Sequence, residues 1–452
     1  MTSDGLFPTL PTTEPVAAPV LHPGAARVGM PDRDAPGWEM VDLEQLVAAD
    51  HPVRLVVAFV GKLALGPLYH AIKARTHGPG RDAIDPALLL ALWLYATIEG
   101  IGSARELARL CERDLPYRWL CGGVGVNHHA LSDFRVEHEA LLDRLLTDSV
   151  TALVADGLIQ MERLAQDGVK LRASAGAASF RRRKTIVRLR EEVAERIERL
   201  RRELDDDPGV AARRRAQIQA RVAEEQAERL RRAQVRLAEL EAEQARRAKK
   251  DRIDRKTGEE KQPRVSTTDP DARVMRLAGG AFRPAYNVQM GCDPDSLVVV
   301  DVGLEPQGAD SGQVEPMLQR IAERYGKRPS FYLADAGYCD LADIEAAHAG
   351  GTLVLAPSNQ ARNGAEAAYA PRPSDGPGVL AWRRNMQTPN GSRWYAARSQ
   401  AECVFAQWRG RGLVQVLVRG VSKVRCVVLL HALAHNMVCA FRLRGQAGLA
   451  LA

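Results

Sequence analysis

Phe331-Tyr332-Leu333-Ala334-Asp335-Ala336-Gly337 is a short run of β-forming apolar residues that ends on an acid and then on glycine. Leu164-Ala165-Gln166-Asp167-Gly168-Val169 repeats the pattern. Each reads as a strand whose last side chain points into a crevice at the carboxyl edge of a sheet, where α/β folds hold their ligands. Nearer the C-terminus, Tyr395, Arg398, Glu402 and Arg409 recur at helical spacing. On one α-helix these four polar side chains share a face, while Ala397, Ala401, Val404 and Trp408 share the opposite one. A tyrosine, two arginines and one carboxylate in a single file point to a face that meets a polyanion and presents one acid to it. The competing reading is a solvated face with an i,i+4 ion pair between Arg398 and Glu402.

Asp167, Asp335 and Glu402, if gathered, offer an all-oxygen donor set for two Mg²⁺ ions, with Mn²⁺ able to substitute. The pattern Tyr395, Arg398, Glu402, Arg409 resembles the Tyr-Arg-Glu-Lys signature of bacterial insertion-sequence DDE transposases, with arginine at the place of the lysine. Asp167 to Lys170 (Asp-Gly-Val-Lys), Ser266 to Arg273, Tyr286 to Gln289 (Tyr-Asn-Val-Gln) and Ala334 to Tyr338 resemble the same group in the same order. The resemblance implies a ribonuclease-H-like α/β catalytic domain with a mixed sheet and flanking helices. It also implies metal-dependent cleavage at the terminal inverted repeats of an element and strand transfer to target DNA, by a homodimer or larger assembly formed on DNA. Asp167, Asp335 and Glu402 would be the catalytic and metal-holding acids, and Tyr395, Arg398 and Arg409 would meet phosphate. Two other functions use the same residues: a domesticated DNA-binding protein that no longer transposes, and a nuclease that cuts without rejoining.

The chain of 452 residues has a net charge of +7. Its basic excess is confined, because Arg181 to Lys261 holds 26 Lys and Arg against 18 Asp and Glu and so leaves the remainder almost neutral. Such a balance agrees with a nucleic-acid partner. Seven cysteines without a CxxC pair speak against a zinc ribbon or a disulfide framework. Apolar runs such as Leu88 to Ala96 are short for a bilayer, so a cytoplasmic, nucleoid-associated protein with no membrane partner is expected. His431 and His435 have the spacing of a zinc-protease pair but lack the intervening glutamate, and no P-loop is present.

Five segments follow from the pattern. Residues 1–38, rich in Pro, Thr, Ala and Gly, read as a disordered arm. Residues 39–155 read as a helical DNA-binding domain, with caps at Asp85, Ser103 and Asn127 and a helix-turn-helix-like succession in which His128, Ser132 and Arg135 are candidate contacts. Residues 156–179 open the catalytic domain. Residues 180–264 interrupt it as a helical hairpin or antiparallel coiled coil, with an apolar file through Ile186, Leu189, Val193, Ile197, Leu200 and Leu204 that breaks near Pro208 and resumes through Ile218, Val222, Leu230, Leu237, Leu240 and Gln244. Arg181, Arg182, Arg183 and Lys184 at its root are candidate DNA contacts. Residues 265–445 complete the catalytic domain.

Overall fold

The computed structural model describes residues 42–74, 82–205, 210–246, 258, 260, 262–305, 307–358 and 368–448. The expected N-terminal arm and the hairpin tip at Pro208 lie outside them. Seven helices come first: α1 (Pro52–Val60), α2 (Gly66–Ala71), α3 (Pro86–Ile98), α4 (Ala104–Arg113), α5 (Leu115–Cys121), α6 (His128–Glu137) and α7 (Glu139–Ala155). Their starts are set by side-chain caps that satisfy amides left over by the helix. Asp85 accepts from the Ala87 amide at 2.9 Å, Ser103 from Glu106 at 3.4 Å, and Asn127 from His129 and Ala130 at 3.0 and 2.9 Å. Helix α3 is buried almost all round, from Leu89 to Thr97.

The sheet follows, with strands β1 (Arg163–Arg172), β4 (Arg273–Arg276), β5 (Phe282–Cys292), β6 (Val299–Glu305), β7 (Phe331–Leu333) and β8 (Leu353–Leu355). A separate two-stranded ribbon pairs β2 (Phe180–Arg181) with β3 (Val265–Ser266). The six-stranded sheet is mixed, in the order β4-β5-β1-β7-β8, with β6 also on β5. Strand β1 is central, antiparallel to β5 and parallel to β7. The flanking helices are α10 (Val314–Tyr325), α11 (Leu341–Ala349), α12 (Pro377–Met386), α13 (Pro389–Ala396), α14 (Ser399–Gly410) and α15 (Val421–Gln446). The helical region does not close a core of its own, because one apolar cluster runs continuously from Val47 through the sheet residues Val288 and Leu333 to Met437 on α15.

Helix α15 corrects the reading of apolar length. By length and composition it would suffice to cross a membrane, yet 72% of its apolar window is buried inside the fold. It packs as a core helix between the first helices and the sheet. Asn436 exchanges two hydrogen bonds with the Val299 backbone at 2.8 and 2.7 Å, and the His435 Nε2 meets the Leu297 carbonyl at 2.9 Å. His431 turns Nδ1 to the Val427 carbonyl at 2.9 Å. Each imidazole therefore spends a ring nitrogen on backbone, with Trp408 against both rings.

Between β1 and the rest of the sheet, α8 (Arg183–Asp205) and α9 (Val210–Arg246) lie antiparallel, with Arg183 paired to Glu241 near the root and Arg201 3.9 Å from Glu224 farther out. The seam differs from the expected file. Ile186, Val193 and Leu200 hold one side at heptad spacing, but the other side is Ala216, Ala223, Leu230 and Leu237, while Ile218 and Val222 are exposed. Small alanines let two helices approach closely, so the larger residues are left on the outer face. The root is fixed by a cluster of Ile186, Ala233, Leu237 and Val265 and by the 2.6 Å pair Arg232–Asp271.

Two outcomes test this architecture. Replacing residues 197–227 by a short glycine-rich turn should leave the melting temperature of the remaining fold within a few degrees of the parent, because each repeat of the seam contacts only its facing repeat; loss of the cooperative transition in a calorimetric scan would contradict it. Burial pulls the His435 imidazole down to about 4, with the Leu297 carbonyl pulling the other way. The unfolded chain takes up that proton near pH 6.5. The stability carried by neutral His435 is thus complete above pH 6.5 and lost as the pH falls toward 4, amounting to about 2 kcal/mol by pH 5. In urea titrations His435→Gln should flatten the pH dependence in that window by this amount; an unchanged slope would contradict the assignment.

Candidate active site

Strand alternation divides the functional chemistry of β1 between two faces. Ala165, Asp167, Val169 and Leu171 face one way; Gln166, Gly168 and Lys170 face the other. Asp167 is not the end of its strand, as the pattern had implied. Strand β1 continues to Arg172 because β5 pairs with it throughout, from Ala165↔Cys292 to Arg172↔Ala285. The parallel partner β7 stops earlier, with its last pair at Ala165↔Leu333. A crevice opens where that pairing ceases, and two residues beyond the last pair stand Asp167 on β1 and Asp335 after β7. Asp335 is held by accepting from the Gly337 amide at 2.7 Å, which starts the short 3₁₀ turn Ala336–Tyr338.

Glu402 lies on α14, 56% exposed, and is related to the strand acids through Arg398. The file expected on one helix is broken: Tyr395 belongs to α13, and Arg398 is the N-cap of α14. At the break the amides of Ala397, Arg398, Gln400 and Ala401 bond three residues back. Ala401, Val404 and Trp408 are buried as expected, and this apolar face holds α14 against the sheet. Arg398 pairs with Glu402, and its Nη1 lies 4.0 Å from Asp167 Oδ1. One guanidinium thus stands between two of the three acids. Burial pushes the Asp167 carboxyl above the ordinary range; the Gly168 amide and Arg398 draw it down, and Asp335 and Asp310 push it up. Burial likewise raises the Tyr395 phenol, with Arg398 lowering it and Asp335 adding to the rise.

The donor chemistry suits a hard cation: carboxylate oxygens only, one of them desolvated beside like charges. The closeness needed to grip one ion is not reached with Arg398 in place. Among the described residues no three His, Cys, Asp or Glu side chains form such a group.

Behind Asp167, on the other face of β1, lies a polar network absent from the sequence reading. Lys170 Nζ meets Asp310 at 2.8 Å and Asn287 at 2.9 Å. Gln289 donates to Asp310 at 2.8 Å and accepts from Gln166 at 2.9 Å and from the Tyr338 hydroxyl at 2.5 Å. Polar residues at alternate positions of paired strands, 166 and 170 on β1 and 287 and 289 on β5, were a readable signal of this layer. Asp310 sits in a loop and gave none. The Ser266–Arg273 motif proves to be a staple: buried Asp269 accepts from the Tyr286 hydroxyl at 2.7 Å and from the Gly420 amide at 3.2 Å, tying the start of α15 to β5.

The remaining candidates divide. Arg409, Arg181, Arg182 and Lys184 are exposed, His128 and Ser132 half-buried at the start of α6, and the His128 and His129 rings lie 4.1 Å apart. Arg183 is exposed but engaged with Glu241. Arg135 is corrected: it is 8% exposed, its guanidinium lies 4.7 Å from the Trp93 ring centre, and it donates to the Gly102 carbonyl. It fastens α6 to α3 and is not available to DNA.

Gly168 tests the coupling of the two faces. A methyl there would stand 2.7 Å from Gln289 Nε2 and from the Tyr338 hydroxyl, and 3.0 Å from Asp310 Oδ1. Gly168→Ala should therefore cost about 1–3 kcal/mol in urea denaturation, as overpacking does in a fixed site; unaltered stability would show that the network yields freely.

Comparison with known proteins identifies the family. Residues 41–137 match the family model described as Transposase domain (DUF772), and residues 264–437 match Transposase DDE domain. No curated protein and no solved structure matches the chain. Asp335 and Glu402 fall inside the second match; Asp167 lies between the two, on the strand that the helical hairpin separates from the rest of the sheet. With both matched stretches in order and together more than half its length, the chain belongs to the insertion-sequence DDE transposases.

Proposed function

We propose that this chain cuts DNA at the ends of an insertion element and joins the freed 3′-hydroxyl to a target, using Asp167, Asp335 and Glu402 on a ribonuclease-H-like sheet. What supports the reading is that Asp167 and Asp335 each stand two residues beyond the end of the β1–β7 pairing, and that Arg398, the N-cap of the neighbouring helix α14, lies between Asp167 and Glu402. Divalent cations, Mg²⁺ or Mn²⁺, would supply an activated hydroxyl nucleophile and charge stabilisation at the leaving oxygen. Asp167 and Asp335 would hold them from adjacent strands and Glu402 would complete the set. Tyr395, Arg398 and Arg409 would position backbone phosphate, arginine doing so with two parallel hydrogen bonds. The first helices, through His128 and Ser132 of α6, and the hairpin root, through Arg181, Arg182 and Lys184, would add contacts to the element ends. In this reading the protein works on cytoplasmic, nucleoid DNA as a dimer or larger assembly.

Asp335→Asn keeps shape and removes charge. It should lower Mg²⁺-dependent nicking of end DNA by roughly a hundredfold or more, while gel-shift affinity for the same DNA stays near that of the parent. Undiminished nicking would refute the assignment. Tight binding by the unaltered protein without any nicking would favour instead a DNA-binding descendant that no longer transposes.

A further inference from the structure

The candidate site offers three carboxylates, and among the described residues a single guanidinium is paired with them. The fourth acid nearby, Asp310, has its own cation in Lys170 at 2.8 Å. Among the described residues Arg398 is thus the one cation paired with both Asp167 and Glu402, and it is held deep: its side chain is 13% exposed, against 17% for Asp167 and 56% for Glu402. Its backbone position is unfavourable. As the N-cap of the 12-residue helix α14 it makes no side-chain capping bond. It also brings a positive charge to the end of the helix where the aligned peptide dipoles are already positive. Its charge is met by the two acids, and its contact with Asp167, at 4.0 Å, is longer than a hydrogen bond.

We infer that Arg398 is the resident counter-ion of the metal-free site, standing where a divalent cation would draw Asp167 and Glu402 together, and that cation and guanidinium exclude one another. The inference rests on the metal-binding reading proposed above and adds to it an order of events. With Arg398 in place the three acids carry a net charge of −2; a divalent cation entering between Asp167 and Glu402 supplies the charge that Arg398 had supplied. The displaced guanidinium, still on the rim of the crevice, then faces the phosphate that the cation attracts. Arg398 therefore opposes cation binding in free protein and supports DNA binding once the cation is present.

The test is equilibrium binding of Mn²⁺ alone to the full chain without DNA, followed by free Mn²⁺ resonance, for the parent, Arg398→Gln, Arg398→Lys and Asp335→Asn. Removing a unit positive charge about 4 Å from a ligand should tighten Mn²⁺ binding about tenfold or more in Arg398→Gln, with Arg398→Lys nearer the parent. The melting temperature gives a second readout: Arg398→Gln should be less stable than the parent without Mn²⁺, and its gain on adding Mn²⁺ should be larger. Mn²⁺ binding by Arg398→Gln that is equal to or weaker than the parent's, while Asp335→Asn has lost it, overturns the counter-ion role and leaves the metal site standing. Absence of Asp335-dependent Mn²⁺ binding in both the parent and Arg398→Gln overturns both.

Discussion

The arrangement depends on β1 being paired along both edges for unequal lengths. An antiparallel neighbour that accompanies it for eight residues fixes its register, and a parallel neighbour that leaves after three opens a crevice against a strand that cannot fray. A one-residue slip of this register would carry Asp167 to the face now filled by Asp310 and Tyr338. It would also place Gly168 or Gln166, the two neighbours of Asp167, before α14. The buried polar layer makes that slip costly, since Gln166, Lys170, Asn287 and Gln289 each find hydrogen-bond partners only in the present register. The layer that holds no candidate catalytic group is what aims the one that does.

Charge decides the rest. Acids on neighbouring strands at a partly desolvated edge repel, and the fold offsets this locally with Lys170 on one face and Arg398 on the other. These two cations differ in kind. Lys170 is held by three acceptor oxygens from Asn287 and Asp310, whereas Arg398 sits at a helix break with one close partner and one distant one. The first is built to stay and the second to leave. Helix α14 itself is packed from behind, by Trp408 against His431 and His435 on α15.

The readable parts of this fold were the local ones. An apolar run ending in Asp with glycine close behind located both strand acids, three caps fixed helix starts, and heptad spacing announced the coiled coil before β4. What sequence could not supply was non-local. The extension of β1 past Asp167 follows from its partner β5, more than a hundred residues away. The break before Arg398 turns one expected helix into two, and the exposure of Ile218 and Val222 follows from alanines taking the seam. Arg135 showed the same limit: a basic residue on a helix reads as a contact until the Trp93 ring across the core is seen to hold it. Asp310 had no periodic pattern to betray it.

The most direct measurement is a crystal structure of the full chain soaked with Mn²⁺, read by anomalous scattering. Peaks about 2.0–2.3 Å from the carboxylate oxygens of Asp167 and Asp335, with Glu402 turned toward them and Arg398 swung out of the crevice, are expected. A crevice without anomalous signal, or Mn²⁺ bound elsewhere while Arg398 still joins Asp167 to Glu402, would contradict a metal site built from these three acids.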